Sequence, residues 1–279
     1  MPLSIAPEEN HREREKGVIV YPVYSRRAGG LSVGVNLFPD KKFCPFDCPY
    51  CEVFQFSSNA DFSLSQMEDD LRHAITSAVR QNTPVKDICF SGNGEPSLSP
   101  AFPPALKLAN GIRSTLVPSS RLVLITSGAG LFQPQIFSFL SDAAKDPSFD
   151  IWLKLDAGTP EWYKKINRAP FPFEKLTEKI TEFVSGAKVT IQTMLCAVDG
   201  ISPPPDEERA WEKLVLQLAA YDKDGTSGTR KVQIYGKARP APEDPKASPL
   251  PAKYLEQRAD SLRRAFSQNG ILTPVEIYL

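Results

Sequence analysis

"CPFDCPYC", residues 44 to 51, places three of the chain's 5 cysteines on one short stretch. The spacing is Cys44-x-x-x-Cys48-x-x-Cys51, and Pro45 and Pro49 stiffen the turns between the thiols. Thiolates are the usual ligands of iron–sulfur clusters, and a short loop after a strand can wrap three of them around one face of a four-iron cube. One iron would then remain open to a small molecule. The loop therefore predicts a metal centre.

Two other interpretations of the loop remain open, a zinc site and unrelated reduced thiols. Zinc in a structural site binds four nitrogen or sulfur ligands. The other candidate ligands are remote from the loop in sequence and are not paired: His11, His73, Cys89 and Cys196. Cys89 and Cys196 stand in predicted strands, where we expect ordinary buried thiols.

The composition is that of a globular enzyme-sized chain with no strong electrostatic preference. The chain has 279 residues, 41% of them hydrophobic, and Lys+Arg 33 balances Asp+Glu 33. This balance neither requires nor excludes a nucleic-acid partner. The start lacks an apolar signal core, and no run of about 18 apolar residues occurs, so we expect a cytoplasmic protein that does not associate with a membrane. Thiols stay reduced in that compartment, which favours metal or redox chemistry over disulfides.

Strand-like runs alternate with helical periodicity, which predicts an α/β fold with a parallel sheet. The first predicted strand, 31–38, leads into the cysteine loop, and a capping-box pattern at Ser65 and Glu68 predicts the start of the first helix. Further strands are predicted at 85–92, 121–128, 149–158, 188–195 and 231–236. Further helices are predicted at 102–116, 132–144, 161–184 and 206–222.

The same periodicity divides the chain into three parts. Residues 1–30 are predicted to be an N-terminal extension, and residues 31–237 the α/β core. Residues 238–279 are predicted to be a proline-rich loop or lid at 238–251, followed by a helix and a closing or edge strand that pack on the core.

The cysteine loop, with Tyr50 directly before the last cysteine, resembles the signature of the radical S-adenosylmethionine superfamily. The resemblance implies a partial (β/α)6 barrel of the TIM type with the cluster loop after its first strand. It also implies a [4Fe-4S] cluster on Cys44, Cys48 and Cys51. This cluster would reduce S-adenosylmethionine to methionine and a 5′-deoxyadenosyl radical, which abstracts hydrogen from a substrate. A reduced flavodoxin or ferredoxin would supply the electron.

A glycine-rich segment, "SGNGEPSL", follows the second predicted strand and resembles the superfamily's Gly-Glu-Pro segment. Its candidate cofactor-binding residues are Gly92, Asn93, Gly94 and Glu95. Glycines let backbone carbonyls approach a ligand, and a carboxylate or carbonyl can accept hydrogen bonds from the amino group of methionine. The alternative is a simple glycine turn.

The fourth predicted strand carries the polar candidates for chemistry. Side chains alternate between the two faces of a strand, so Trp152, Lys154 and Asp156 share one face. The resemblance implies that Asp156 binds the ribose hydroxyls and that Lys154 meets the substrate or a carboxylate. Trp152, on the same face, is a further candidate for contact with the substrate. We predict Lys154 and Asp156 as catalytic residues; an ion pair between the two is the alternative.

Three further strand-end residues are candidates for binding S-adenosylmethionine. Ser127 lies in a "TSG" that resembles the superfamily's Thr-Asn-Gly. Gln192 is a candidate contact to the ribose or the amino acid, and Tyr235 ends the sixth predicted strand, where the superfamily holds adenine through its backbone.

Several stretches resemble one branch, the stand-alone iron–sulfur oxidoreductases related to wyosine synthase, an enzyme that modifies transfer RNA. These stretches span most of residues 21 to 242. In them, Arg26, Arg27 and Arg239 are candidates for binding a carboxylate or phosphate at the barrel mouth; solvated surface arginines are the alternative. Wyosine synthases carry further cysteines for a second cluster, and Cys89 and Cys196 are too few to bind one.

Three functions follow as hypotheses. The first is a radical S-adenosylmethionine enzyme acting on an unidentified substrate, and the second is a modifier of RNA bases without a second cluster. The third is a non-catalytic module that binds a cluster or zinc for stability.

Overall fold

The structure, a computed structural model, describes residues 17–222 and 225–279. These residues form two compact units. The first comprises residues 17–44, 55–126 and 146–150, and the second comprises residues 45–54, 127–145 and the described residues from 151 onward. Residues 1–16 of the predicted N-terminal extension lie outside the described residues.

In the first unit, an antiparallel hairpin is followed by parallel strands. Strand β1 (Val20–Ser25) pairs antiparallel with β2 (Gly30–Val35). Strand β3 (Val85–Phe90) pairs parallel with β2, and β4 (Arg121–Thr126) pairs parallel with β3. Strand β1 lies within the predicted extension, where no strand is predicted from the sequence, and it contains Pro22. An edge strand tolerates proline because one side of its backbone needs no partner.

Two helices cover the sheet of the first unit. Helix α1 (Leu64–Arg80) buries one apolar stripe, and α2 (Phe102–Leu116) has the predicted bounds. The cap of α1 differs from the predicted Ser65 and Glu68 pair, because Ser63 accepts the hydrogen bond from the backbone N–H of Gln66 at 3.3 Å. The buried stripe of α1 consists of Met67, Leu71, Ala74, Ile75 and Ala78.

The strands of the second unit are parallel except for one. Strand β5 (Phe149–Lys154) pairs with β6 (Lys188–Val198), and β6 pairs with β7 (Gly228–Gly236). The predicted closing strand is β9 (Val275–Tyr278), which pairs parallel with β7. Strand β8 (Ala247–Pro249) pairs antiparallel with β6, so the predicted proline-rich loop contains a short strand.

The helices of the second unit follow the predicted order with one division. The predicted helix 161–184 is two helices, because Pro170 and Pro172 interrupt it. The five helices are α3 (Pro134–Ala143), α4 (Pro160–Ile166), α5 (Phe173–Val184), α6 (Pro205–Ala219) and α7 (Ala252–Gln268). In the described ranges, none of the helices is apolar over a length that would cross a bilayer.

The register of the second unit places polar side chains in one row across four strands. Lys154 is paired with Gln192, Gln192 with Gln233, and Gln233 with Glu276. Side chains two residues apart point to the same face of a strand. Asp156, two residues beyond Lys154, therefore continues the polar face of β5 at the carboxyl end of the strand.

Candidate active site

The cysteine loop carries free thiols on tight turns. Cys44, Cys48 and Cys51 are half-buried and form no disulfide. The backbone N–H of Cys51 donates to the carbonyl of Cys48 at 3.0 Å, and the thiol of Cys51 contacts the carbonyl of Val53 at 3.7 Å. No disulfide therefore withholds these three thiols from ligation.

The glycine-rich segment binds the residue that precedes Cys44. The backbone of Phe43 donates to Asn93 O at 2.9 Å and accepts from the N–H of Glu95 at 2.8 Å. A Cβ on Gly94 would lie 2.1 Å from the carbonyl oxygen of Phe43, so this position requires glycine. Gly92 has a φ of +112°, which also favours glycine. The segment therefore fixes the start of the cysteine loop.

The carboxylate of Glu95 is buried within the same unit and hydrogen-bonded there. It accepts from the N–H of Ser97 at 3.2 Å, from the hydroxyl of Ser97 at 2.6 Å and from the hydroxyl of Thr126 at 2.6 Å. These contacts cap the short 3₁₀ turn at Pro96–Leu98. The side chain thereby shapes the glycine-rich segment, and binding of a cofactor amino group by this segment stays a prediction.

The second unit brings four predicted site residues into direct contact around one carboxylate. The hydroxyl of Tyr50 donates to Asp156, and the ammonium of Lys154 lies 3.3 Å from the same carboxylate. Lys154 Nζ also donates to the hydroxyl of Tyr235 at 2.6 Å. It stands 4.7 Å from the ring centre of Tyr50 and 5.1 Å from that of Tyr235, within the range of cation–π attraction.

Asp156 is 4% exposed and has two more donors. The backbone N–H of Met194 donates at 2.8 Å, and the side-chain amide of Asn167 donates at 3.0 Å. The predicted ion pair between Lys154 and Asp156 is thus present, within a larger hydrogen-bond network. The hydrogen bond from Tyr50 to Asp156 links the end of β5 to the cysteine loop.

Burial and neighbouring charge shift the pKa values of three groups in this network. Loss of water and the charge of Asp156 raise the pKa of the Cys48 thiol to about 12. The same two causes raise the pKa of Tyr50. For Lys154, burial lowers the pKa, but the charge of Asp156 and the hydroxyl of Tyr235 outweigh it and raise the pKa overall. Lys154 is therefore an ammonium ion at neutral pH.

Asn167 holds Cys48 and was not predicted from the sequence. Its side-chain amide lies 3.6 Å from Cys48 Sγ, and its carbonyl accepts from the N–H of Asp47 at 3.1 Å. The ring of Phe46, also in the loop, packs edge-on against Tyr163 and Phe171 at 6.2 and 5.5 Å between centroids. Asparagine after a helix is an ordinary cap, so no sequence signal links residue 167 to the loop.

The hydroxyl of Tyr163 has no hydrogen-bond partner among the described residues. This unused donor bears on whether the site would fit an anionic group. This atom is buried and makes no hydrogen bond to any residue that the structure describes. Loss of water and the nearby Cys48 raise the pKa of Tyr163, so the hydroxyl keeps its proton and remains a donor. A buried donor without an acceptor is rare in native proteins. The donors around Cys48 fit thiolate and sulfide acceptors of a bound cluster.

The described residues contain no group of three or more His, Cys, Asp or Glu side chains placed to bind one metal ion. A four-iron cluster binds each thiolate to a different iron, so its ligands stand apart rather than converging on one ion. The assignment of Cys44, Cys48 and Cys51 as cluster ligands stays a prediction. Cys89 and Cys196 are buried, as expected of ordinary core thiols.

The remaining cofactor candidates lie at strand ends or in the polar row. Ser127 follows β4 and accepts from the N–H of Ala129 at 3.4 Å. The amide of Gln192 is fully buried and donates to Gln233 Oε1 at 2.7 Å. Trp152 is 5% exposed and precedes Lys154 on the same face of β5. Contacts of these residues with a cofactor or substrate stay predictions.

The three predicted arginines occupy different places. Arg26 and Arg27 stand in the turn before β2, whereas the cysteine loop follows the opposite end of that strand. They precede the first predicted strand, as expected, and binding of a carboxylate or phosphate by Arg26 and Arg27 stays a prediction. Arg239 Nε lies 3.0 Å from the carboxylate of Glu52, directly after Cys51. Arg239 is thus beside the loop and pairs with it.

A second arginine connects the loop with the proline-rich segment. Arg168 lies 3.6 Å from Asp47 of the loop and pairs closely with Asp244. Its φ of +47° is uncommon for a residue with a side chain, and such strain persists where the surroundings fix it. Two arginines, Arg168 and Arg239, therefore connect the cysteine loop to residues 238–251.

Sequence comparisons give partial matches to proteins of Helicobacter pylori. A UPF0026 protein of strain 26695 is 31% identical over 172 residues, which is 61% of this chain and 51% of that protein. A UPF0026 protein of strain J99 is 28% identical over 187 residues, 64% of this chain and 54% of that protein. The chain thus spans about half the length of the curated relatives it matches. No protein-family model matches the chain.

Solved structures of radical S-adenosylmethionine enzymes have the same fold. A radical SAM methyltransferase from Sphaerobacter thermophilus matches with a TM-score of 0.64 at 14% identity, over 93% of this chain and 68% of that one. SuiB from Streptococcus suis, bound to S-adenosylmethionine, matches with a TM-score of 0.65 at 13% identity, over 91% of this chain and 52% of that one. The enzyme anSMEcpe with bound S-adenosylmethionine matches with a TM-score of 0.52 at 17% identity, over 88% and 63%. The chain therefore has the α/β partial TIM-type barrel fold of the radical S-adenosylmethionine enzymes, as its cysteine loop predicts.

Proposed function

We propose that this chain is a radical S-adenosylmethionine enzyme with a [4Fe-4S] cluster on Cys44, Cys48 and Cys51. The observation that carries the proposal is a three-cysteine loop, in this fold, whose Tyr50 bonds directly to Asp156 at the end of β5. When bound, the cluster would supply one electron that cleaves S-adenosylmethionine to methionine and a 5′-deoxyadenosyl radical, which takes a hydrogen atom from the substrate. This is oxidoreductase chemistry supplied by the cofactor, and the protein contributes binding and orientation.

The glycine-rich segment would bind the amino-acid end of S-adenosylmethionine. Gly92 and Gly94 pack closely against Asn36 and Phe43, and the backbone contacts of Phe43 hold the segment beside the start of the loop. Backbone carbonyls there can accept hydrogen bonds from an ammonium group. Glu95 keeps the segment in shape through Ser97 and Thr126.

Asp156 and Lys154 would orient the ribose and the substrate. Asp156 is an acceptor with several donors already in place, so a ribose hydroxyl would join or replace one of them. Lys154 carries a positive charge that water does not screen well, because the side chain is only 16% exposed. We propose a polar substrate with a carboxylate or phosphate group, bound by Lys154 beside Trp152 and Gln192.

The partners proposed are a small molecule as substrate and a reduced flavodoxin or ferredoxin as electron donor. Modification of RNA is the alternative, with Arg26, Arg27, Lys237 and Arg239 as phosphate contacts. Filter binding of transfer RNA over a salt series separates the two, because phosphate contacts give a steep loss of affinity with salt. Binding without that slope would count against an RNA substrate.

The direct test is anaerobic reconstitution with iron and sulfide, followed by reduction with dithionite in the presence of S-adenosylmethionine. We expect release of 5′-deoxyadenosine and methionine in equal amounts. The triple variant Cys44→Ala, Cys48→Ala, Cys51→Ala is the control and should release neither. A wild-type protein that holds a full cluster but releases no 5′-deoxyadenosine would refute the proposal.

A further inference from the structure

Asn167 links the cysteine loop to the Asp156 network through one side chain. It follows the last residue of α4 and is 4% exposed. One amide group reaches both Cys48 Sγ at 3.6 Å and Asp156 Oδ2 at 3.0 Å. A primary amide has two N–H donors, so it can serve both acceptors at once.

The backbone of Asn167 fixes the loop from the other side. Its carbonyl accepts from the N–H of Asp47 at 3.1 Å and lies 3.8 Å from Cys48 Sγ. Arg168, the next residue, is held in a left-handed conformation and pairs with Asp47 and Asp244. The amide of Asn167 is therefore held in place by contacts on both sides, as a preorganised donor must be.

Ligation of iron changes what the amide contributes. A thiol bound to a metal loses its proton and becomes a thiolate. The carbonyl of Asn167 then has no S–H to accept, whereas the amide still donates to sulfur. A hydrogen bond to a charged acceptor is about twice as strong as one between neutral groups. It favours the reduced state of a cluster, because that state carries one more negative charge.

We infer that Asn167 is a positioning residue that donates a hydrogen bond to the Cys48 ligand and sets the reduction potential of the cluster. The inference rests on the proposed function, because it needs a cluster on Cys48. The same amide binds Asp156, so the potential also depends on the carboxylate that is proposed to bind the cofactor. A change at Asp156, on binding S-adenosylmethionine, would then reach the cluster through Asn167.

The test compares the midpoint potentials of the anaerobically reconstituted wild type and three variants, measured by a redox titration followed by electron paramagnetic resonance. Asn167→Ala removes the donor and keeps the backbone contacts, and Asn167→Gln keeps an amide. Asn269→Ala is the matched control, since Asn269 also follows a helix and its amide donates to Ala265 O of that helix at 2.8 Å. Iron content is measured for each protein.

We expect Asn167→Ala to move the potential to a more negative value by about 59 mV, a tenfold fall in the reduction equilibrium for one electron. Asn167→Gln should recover part of this shift, and Asn269→Ala should show none. An unchanged potential in Asn167→Ala with a full cluster would overturn the inference. If Asn167→Ala loses its iron, retention in Asn167→Gln supports the inference, and loss from both overturns it in favour of packing alone. A wild type without iron would instead refute the proposed function.

Discussion

Asp156 and Asp87 are equally buried, each 4% exposed, but their surroundings differ. Asp156 follows the carboxyl end of β5 and contacts Tyr50, Lys154, Asn167 and the backbone of Met194. Asp87 lies near the amino end of β3 and accepts a hydrogen bond from Ser32.

The two aspartates differ in the charged groups that surround them at equal burial. Loss of water raises the pKa of Asp87 to about 6, even though Ser32, Arg27 and Arg121 lower it. Asp156 instead has a buried ammonium at 3.3 Å. The partners of Asp156 beside the cysteine loop thus offset its burial, whereas those of Asp87 offset its burial only in part.

The largest expected effect is that of the proposed cysteine ligands, on which the functional interpretation of Asp156 depends. Cys48→Ala should abolish the cluster and leave a folded protein, because the loop is also anchored by Phe46 and Asn167. Iron content and thermal unfolding measure the two outcomes. The matched control is Cys196→Ala, which removes a buried cysteine outside the loop and should keep the iron.

Unfolding of Cys48→Ala would favour the third hypothesis, a module that binds its metal for stability. Loss of iron from Cys196→Ala as well would show that the loop is not the specific site. Only a loss of iron that is confined to Cys48→Ala sharpens the contrast between Asp156 and Asp87.

Asp156→Ala should give the next largest effect, on stability. It leaves the ammonium of Lys154 buried without its carboxylate, and breaking a buried ion pair in this way costs about 3–5 kcal/mol. The double variant Asp156→Ala, Lys154→Met should recover part of this loss, because no unpaired charge remains. Urea unfolding of the four proteins of this cycle gives the coupling energy. Additive effects of the two substitutions would contradict the ion pair.

Asp87→Asn should change stability in the opposite direction from Asp156→Ala. The native pKa of Asp87 is above its unfolded value, so the native state binds more protons between about pH 4 and pH 6. Stability contributed by protonated Asp87 is present at low pH and is lost as the pH rises through about 6. Above pH 6, Asp87→Asn should therefore stabilise the protein, by up to about 3 kcal/mol for two pKa units.

Urea unfolding at about pH 4.5, where the native state binds more protons than the unfolded state, and at about pH 7.5, above that range, checks this sign. The control is Asp146→Asn. Asp146 is a more exposed aspartate, and its pKa is lowered by hydrogen bonds from Ser148, although burial opposes them. Its stabilising effect is present at neutral pH and lost in acid, so its removal should destabilise the protein at pH 7.5. A loss of stability in Asp87→Asn at pH 7.5 would erase the contrast between the two aspartates.

The smallest effect is expected at a third buried carboxylate, Glu95. Glu95→Gln keeps an oxygen that can accept from Ser97 and Thr126, so stability should fall by only about 1 kcal/mol. If the negative charge of Glu95 attracts the cofactor's amino group, the free energy of S-adenosylmethionine binding should fall by more than the free energy of unfolding does. Equilibrium dialysis measures the binding. Unchanged binding would assign Glu95 a purely structural role.

The sequence predicts the elements that local chemistry decides. Helix α2 has its predicted bounds because a proline pair opens it, and the apolar runs of β3 and β4 identify buried strands. Local signals were insufficient at two places. Ser63 caps α1 although Ser65 and Glu68 match the capping box, and β1 forms within residues predicted only as an extension.

The candidate site was predictable where its residues stand in motifs or at strand ends. Tyr50, Lys154, Asp156 and Tyr235 were all predicted, and they are in contact. Asn167 was missed, because its contact with Cys48 joins positions 119 residues apart in sequence. The row from Lys154 to Glu276 also required the register of four strands, which periodicity alone does not give.

The most direct test of the cluster with an open iron is spectroscopic. Anaerobically reconstituted and reduced protein is examined by electron paramagnetic resonance before and after addition of S-adenosylmethionine. We expect a [4Fe-4S] signal that changes when S-adenosylmethionine is added and that is absent from Cys48→Ala. Zinc in place of iron, or a cluster signal that S-adenosylmethionine leaves unchanged, would contradict the account.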